Sequence, residues 1–193
     1  MIELPTDIPP NSFEGTILDF GFLQRGAASL RINRPGNRHR ITLSWPPLEP
    51  DRAARLLARI KRGKRQGLRA RLPLLRPQGL PGSPVVDGND QAGSRIAVRG
   101  MTPGYAARED YWLTIVEADG TPYLHSVERT VIAGSDGRAT VEIEPPLRAP
   151  FADGDRVEFG APFVEGAVDG EEYAWVVPVS KRIVLSVSIE EYA

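Results

Sequence analysis

Histidine and cysteine, the side chains that most often carry nucleophilic catalysis or bind transition metals, are scarce in this 193-residue sequence. There is no cysteine, and the two histidines are His39 and His125. Without cysteine the chain can form no disulfide, no thiolate nucleophile and no cysteine-ligated zinc site. Neither histidine belongs to a His-x3-His pair or to another metal-ligand spacing, so we interpret both as structural residues.

Acidic residues beside glycine form two short motifs, Asp-Gly-Asn-Asp at 87–90 and Asp-Gly-Asp at 153–155. Neither fits a twelve-residue calcium loop, and turns are the usual role of such motifs. The sequence also lacks a nucleophile elbow, a phosphate loop and a dinucleotide-binding fingerprint. Carboxylates for glycoside hydrolysis are present, but nothing selects a pair of them. We therefore expect a protein that is not an enzyme and that requires no metal and no other cofactor.

Seven tryptophans and tyrosines are candidates for stacking against a sugar ring. Core packing explains them better, because several alternate in phase with aliphatic neighbours. A carbohydrate-binding module formed by an inserted β domain, residues 80–175, stays open as an alternative, and it would need two or three exposed aromatic rings on one face. The seven residues are Trp45, Trp112, Trp175, Tyr105, Tyr111, Tyr123 and Tyr173.

The strongest charge feature is the segment 52–71, which holds nine basic residues and no acidic one. The chain carries a net −1, but residues 1–76 contain 15 Lys and Arg against 6 Asp and Glu, and residues 77–193 contain 9 against 19. Such asymmetry indicates a charged partner, or contact between opposite halves of neighbouring copies. Binding of nucleic acid through the basic segment is a further alternative, and it would depend steeply on salt. The candidate interface residues are Arg52, Arg55, Arg59, Arg62, Arg69 and Arg71.

Periodicity places these arginines on a helix and a strand. Apolar residues at 53, 56, 57 and 60 follow a helical repeat and predict an amphipathic helix over about 50–62, with Gly63 just past its end. The first four arginines lie outside this apolar stripe. Apolar residues at 68, 70 and 72 then alternate with Arg69 and Arg71, which predicts a strand with both arginines on its polar face.

Glycine and proline together make 37 of the 193 residues and are spread along the chain, which is typical of many short strands joined by tight turns. Alternation in 40–45 and in 183–189 predicts two strands with one buried face each, and we place both in one sheet. We therefore predict a mainly β fold with one amphipathic helix (α+β). The prediction assigns residues 1–76 plus 176–193 to a β-sandwich-like domain, and residues 80–175 to an inserted all-β domain, a barrel or a sandwich.

Several segments follow a pattern seen in one family of viral proteins. The strand HRITLSWPPL (39–48) leads to the short helix and then to RGKRQGLRARLPL (62–74). Inside the insertion are VVDGNDQAGSRIAVRG (85–100) and GRATVEIEPPLRAPFADGDRVEF (137–159), and RIVLSVSIEEY (182–192) closes the chain. In this order and in these turn and strand patterns, the sequence resembles the distal tail protein and related tail-tip ring proteins of long-tailed bacteriophages. The resemblance covers residues 12–75, 85–160 and 180–192.

The resemblance implies a structural protein of a phage or prophage tail tip, located in the virion and assembled in the host cytoplasm. Similar proteins form a ring, a hexamer by this resemblance, between the tail tube protein and the tip, hub or baseplate proteins. We accordingly expect self-association and contacts with those proteins, and no sequence-specific binding of nucleic acid. No apolar run is long enough to span a membrane, and the N-terminal residues lack the pattern of a secretory signal, so we expect no membrane contact.

Overall fold

The computed structural model describes residues 1–24, 30–32 and 36–192. Over these residues the fold is mainly β with one α-helix, which confirms the predicted fold class. The chain forms two compact units. Unit 1 comprises residues 1–16, 40–75 and 163–192, and unit 2 comprises residues 76–162 together with the described part of 17–39.

Sixteen strands and one helix are defined within the described residues. The helix is α1 (Pro50–Gln66). The first eight strands are β1 (Ile2–Glu3), β2 (Ser12–Leu18), β3 (Phe22–Gln24), β4 (Leu30–Ile32), β5 (Arg38–Leu48), β6 (Leu68–Arg71), β7 (Gly82–Val86) and β8 (Gln91–Met101). The second eight are β9 (Ala106–Ala107), β10 (Trp112–Val116), β11 (Pro122–Val127), β12 (Val131–Ile132), β13 (Ala139–Phe151), β14 (Arg156–Glu158), β15 (Phe163–Val168) and β16 (Ile183–Glu191).

Unit 1 is built on a six-stranded sheet in the order β1–β6–β15–β16–β5–β2. The register between β5 and β16 sets Ile41 opposite Ile189 and Leu43 opposite Val187. This pairing confirms that the segments 40–45 and 183–189 lie in one sheet. Both strands alternate between buried and less buried positions, as a sheet with one face in the core requires. The helix α1 contacts β1, β6, β15 and β16.

The helix α1 begins at Pro50, whose fixed φ suits a first turn. It continues one turn beyond the predicted end. Gly63 lies inside the helix and is buried, and Gly67 ends it with a φ of +76° and donates its backbone N–H to the Gly63 carbonyl at 2.7 Å. A Cβ on Gly63 would lie 2.1 Å from Cδ2 of Leu68, so glycine serves close packing at 63 and termination at 67. The predicted stripe is confirmed as the buried face: Ala53, Leu56, Leu57 and Ile60.

Unit 2 contains a closed barrel with the strand order β10–β11–β13–β8–β7–β14. Closure follows from the pairing of β14 with β10, which sets Ile115 opposite Val157. Of the two forms predicted for the inserted module, the barrel is the one observed. Its interior is filled by aliphatic and aromatic side chains, including Val98, Leu113 and Phe151.

The unit boundaries differ from the predicted ones at two places. Residues 163–175, which the sequence pattern assigns to the insertion, belong to unit 1, because β15 pairs with β6 and β16 in the first sheet. The described residues of 17–39, which the pattern assigns to the first domain, group with unit 2. The strand β7 of the barrel lies in the segment 76–90, which is rich in proline and glycine. Short strands that contain glycine, such as β15, carry too little alternation to reveal their sheet.

Candidate interaction surface

The arginines near the start of α1 are tied to the N-terminal segment of unit 1. Arg52 donates to the backbone carbonyl of Asp7 at 2.8 Å. Arg55 forms a hydrogen-bonded ion pair with the Asp7 carboxylate. The hydrogen bond from Arg55 is the main reason why the pKa of Asp7 lies below its usual value. These contacts hold the loop after β1 against the helix, so part of the positive charge here is already balanced within the chain.

Arg55, Arg59 and Arg71 line one open cleft with a volume of about 410 Å³. Residues 3–7 form its other wall. Arg59 and Arg71 are exposed and have no ion pair or hydrogen bond with any described residue. The basic cleft, as we call it, therefore offers two uncommitted guanidinium groups, which suit the recognition of carboxylates on another molecule.

Three of the six predicted interface arginines do not line the basic cleft: Arg52, Arg62 and Arg69. Arg69 pairs with Glu165 on the neighbouring strand β15, and its guanidinium lies 4.9 Å from the centre of the Phe163 ring. It is thus engaged inside the sheet of unit 1. Arg62 is exposed and has no partner among the described residues, but it does not line the basic cleft.

An apolar cleft of about 120 Å³ shares part of its wall with the basic cleft. Leu4, Ile8, Trp45 and Leu72 are buried residues that line it, and Arg71 and residues 4–6 contribute to both clefts. The indole Nε1–H of Trp45 donates to the carbonyl of Ile8 at 2.8 Å and holds the N-terminal segment in place. Sequence reasoning missed this cleft; the signal was the Leu-Pro and Ile-Pro-Pro pattern of residues 4–10.

A run of exposed apolar side chains lies in the segment 171–180 of unit 1, which we call the arm. The exposed fractions are 42% for Trp175, 76% for Val176, 60% for Val177 and 102% for Val179. Isolated exposed apolar residues are normal, but four within five positions form a patch of the kind that marks contact sites. Sequence reasoning missed the arm as well, although an apolar run without alternation was visible there.

The two histidines are buried in unit 2. The Nδ1 atom of His125 lies 2.8 Å from the carbonyl oxygen of Pro145, and the His39 ring packs edge-on against Trp112 at 5.0 Å between centroids. Burial lowers the pKa of His39 to about 4 and that of His125 to about 3, so both are neutral at neutral pH. Across the described residues, no group of three His, Cys, Asp or Glu side chains is placed to hold a metal.

The aromatic rings of the barrel are packed against neighbouring side chains. Throughout residues 76–162, all of which are described, every aromatic ring is buried or half-buried. The phenol of Tyr105, for example, donates to the carbonyl of Gln78 at 2.7 Å, and the Tyr123 ring packs at 89° against Phe151. These rings act in packing.

No protein-family model matches the sequence, and no curated protein matches it significantly. In the described part of the chain, no helix has the length and apolar character needed to cross a membrane. The physical features of unit 1 are therefore the basis for inferring function: a basic cleft, an adjoining apolar cleft and an exposed apolar arm.

Proposed function

We propose that this chain is a non-enzymatic structural component of a phage or prophage tail tip. It forms a ring that joins the tail tube to the distal tip or baseplate. Unit 1 makes the contacts between copies, and the barrel of unit 2 is available for other tail proteins.

The observation that carries the proposal is the layout of unit 1. The chain runs from β5 through α1 to β6, enters the barrel, and returns through β15 and β16 to the same sheet. This is the order of strand, helix, strand, β insertion and closing strand on which the family resemblance is based.

The charges of unit 1 support assembly through protein contacts. Arg59 and Arg71 are unpaired among the described residues, while residues 77–193 carry 19 acidic side chains against 9 basic ones. One exposed ion pair contributes only about 0.2–1 kcal/mol. Repeated at every interface of a ring, such pairs fix orientation and register between copies, which is where charge complementarity acts most strongly.

Native mass spectrometry with negative-stain microscopy tests the proposal. At micromolar concentration we expect a closed oligomer of defined mass with a central opening, either alone or with tail tube and tip proteins. A strict monomer under all of these conditions would contradict the proposal.

A double variant, Arg59→Gln with Arg71→Gln, tests the role of the basic cleft. Removing two exposed ion pairs per interface should weaken association about 2- to 30-fold while leaving the subunit folded. The matched control is Arg108→Gln with Arg156→Gln, which removes the same charge from exposed positions of the barrel. If instead the cleft variant assembles normally and loses a tight, salt-sensitive affinity for DNA, the nucleic-acid alternative is correct.

A further inference from the structure

The arm is a segment held at both ends and exposed between them. At its start, Lys64 of α1 donates to the carbonyl oxygens of Val168 and Gly170. At its end, Arg182 forms an ion pair with Glu49 at 2.7 Å. Between these anchors, Lys61 lies 4.1 Å from the centre of the Trp175 ring, a cation–π contact that covers one side of the indole.

The composition of the arm predicts what it will bind. Glu171 and Glu172 are exposed and have no ion pair or hydrogen bond with the described residues. A few positions later come three valines that leave most of their surface in water. Burial of apolar surface contributes about 25 cal/mol per Å², so an acceptor with an apolar floor and a basic rim would stabilise both parts of the arm.

The joined clefts of unit 1 have that composition. The apolar cleft is floored by Ile8, Trp45 and Leu72, and the neighbouring basic cleft brings the uncommitted Arg59 and Arg71. Glu3 also lines the basic cleft and offsets part of its charge. A volume of about 120 Å³ fits aliphatic side chains, and it is well below the 300–1,000 Å³ typical of small-molecule sites.

We propose that the arm of one copy docks in the joined clefts of a second copy of this chain. Val176, Val177 and Val179 enter the apolar cleft, and Glu171 and Glu172 pair with Arg59 and Arg71. This inference rests on the proposed ring and names the contact that builds it.

The geometry within unit 1 favours a second copy over the arm's own clefts. The arm contacts Lys61 in the second half of α1, Lys64 of the same half holds the residues just before the arm, and no residue of the arm lines either cleft. Donor and acceptor are thus different surfaces of the same subunit. Such a contact is heterologous, and repetition of it closes into a ring when the rotation allows.

The lack of native cysteine allows a clean crosslinking test. Val177→Cys in one preparation and Thr6→Cys in another place one thiol on the arm and one on the wall shared by both clefts. On mixing and mild oxidation we expect a covalent dimer of the two different variants. Val177→Cys mixed with Glu128→Cys, an exposed position of the barrel, is the control and should give no such dimer.

A second variant measures the energetic role of the arm. Val177→Asp with Val179→Asp changes only exposed side chains, so the subunit should keep its circular dichroism spectrum and its melting temperature. Placing two charges in an apolar contact should weaken association at least about tenfold in native mass spectrometry.

The outcomes separate this inference from the proposed function. If the aspartate variant stays oligomeric and the Val177→Cys and Thr6→Cys proteins give no crosslink, arm docking is overturned and the ring is left intact. If the aspartate variant loses the oligomer but the Val177→Cys and Thr6→Cys proteins give no crosslink, the clefts are not the surface to which the arm binds. A wild-type protein that is a strict monomer overturns both proposals.

Discussion

Replacement of Gly63 by alanine is the sharpest test of how α1 packs in unit 1. Alanine is normally better than glycine in a helix interior by up to about 1 kcal/mol. Here the new Cβ would lie 2.1 Å from Cδ2 and 2.3 Å from Cγ of Leu68, far inside the usual contact distance. The Leu68 side chain has no exposed surface, and its backbone is held by pairing with Ile2 on one side and Gly166 on the other, so moving the side chain aside would disturb the packed core. Overpacking of this kind costs about 1–3 kcal/mol.

The clash should outweigh the gain in helix propensity: a cost of about 2 kcal/mol less a gain of about 1 kcal/mol leaves Gly63→Ala lowering the stability of unit 1 by about 1 kcal/mol. The assay is urea unfolding followed by tryptophan fluorescence in a Trp112→Phe background, where Trp45 and Trp175 both report on unit 1. A Leu68→Ala background is the control. There the side chain that clashes is gone, and the same Gly63→Ala change should stabilise by about 1 kcal/mol. Stabilisation of unit 1 by Gly63→Ala alone would refute the packing described for Gly63.

Three further outcomes are expected. Replacement of residues 76–161 by a short Gly/Ser linker should leave unit 1 folded, because Arg71 and Phe163 are paired neighbours. Deletion of 80–175 should instead unfold unit 1, because it removes β15. Circular dichroism distinguishes the two deletion variants by their helix content. The folded-state pKa values of about 4 for His39 and about 3 for His125 lie below the unfolded value near 6.5. The contribution of both histidines to stability is therefore full above about pH 6.5 and falls as the pH drops towards about 4. Melting temperatures measured over a pH series should show this slope, and His125→Asn should reduce it. Trp45→Phe leaves the buried carbonyl of Ile8 without its donor and should cost about 1–3 kcal/mol in urea unfolding; an unchanged midpoint would contradict this.

Elements with a long, regular period could be predicted from the sequence. The apolar stripe of α1 and the alternation in β5 and β16 each bury one face, so the pattern of residue types follows directly from the packing. In the barrel, the alternation in β13 was predictable for the same reason, as was the turn at Asp119-Gly120, where Gly120 has a φ of +93°. Such signals are local, and one segment of sequence contains all of the information they need.

Features that depend on distant parts of the chain were not predictable. The place of β15 depends on its pairing with β6, which lies far earlier in the chain, and Gly166 in it lies against the backbone of Glu190. Gly63 has the pattern of a helix end unless one knows that Leu68 folds back onto it.

The candidate surface was predicted only in part. The helical period places Arg55 and Arg59 outside the core, but only the tertiary structure brings them to Arg71 and gives Arg52 and Arg55 the partner Asp7. It also assigns Arg69 to Glu165 inside the sheet. The arm and the apolar cleft are formed largely by loops, which have no periodicity that sequence reasoning can use.

The mass of the purified chain in native mass spectrometry, at micromolar concentration and with tail tube and tip proteins added in parallel, is the most direct test of the proposed ring. We expect one closed oligomer, with six copies implied by the family resemblance, that weakens in the Arg59→Gln and Arg71→Gln double variant. A protein that stays strictly monomeric, alone and with those proteins, would contradict the proposal that it is a ring component of a tail tip.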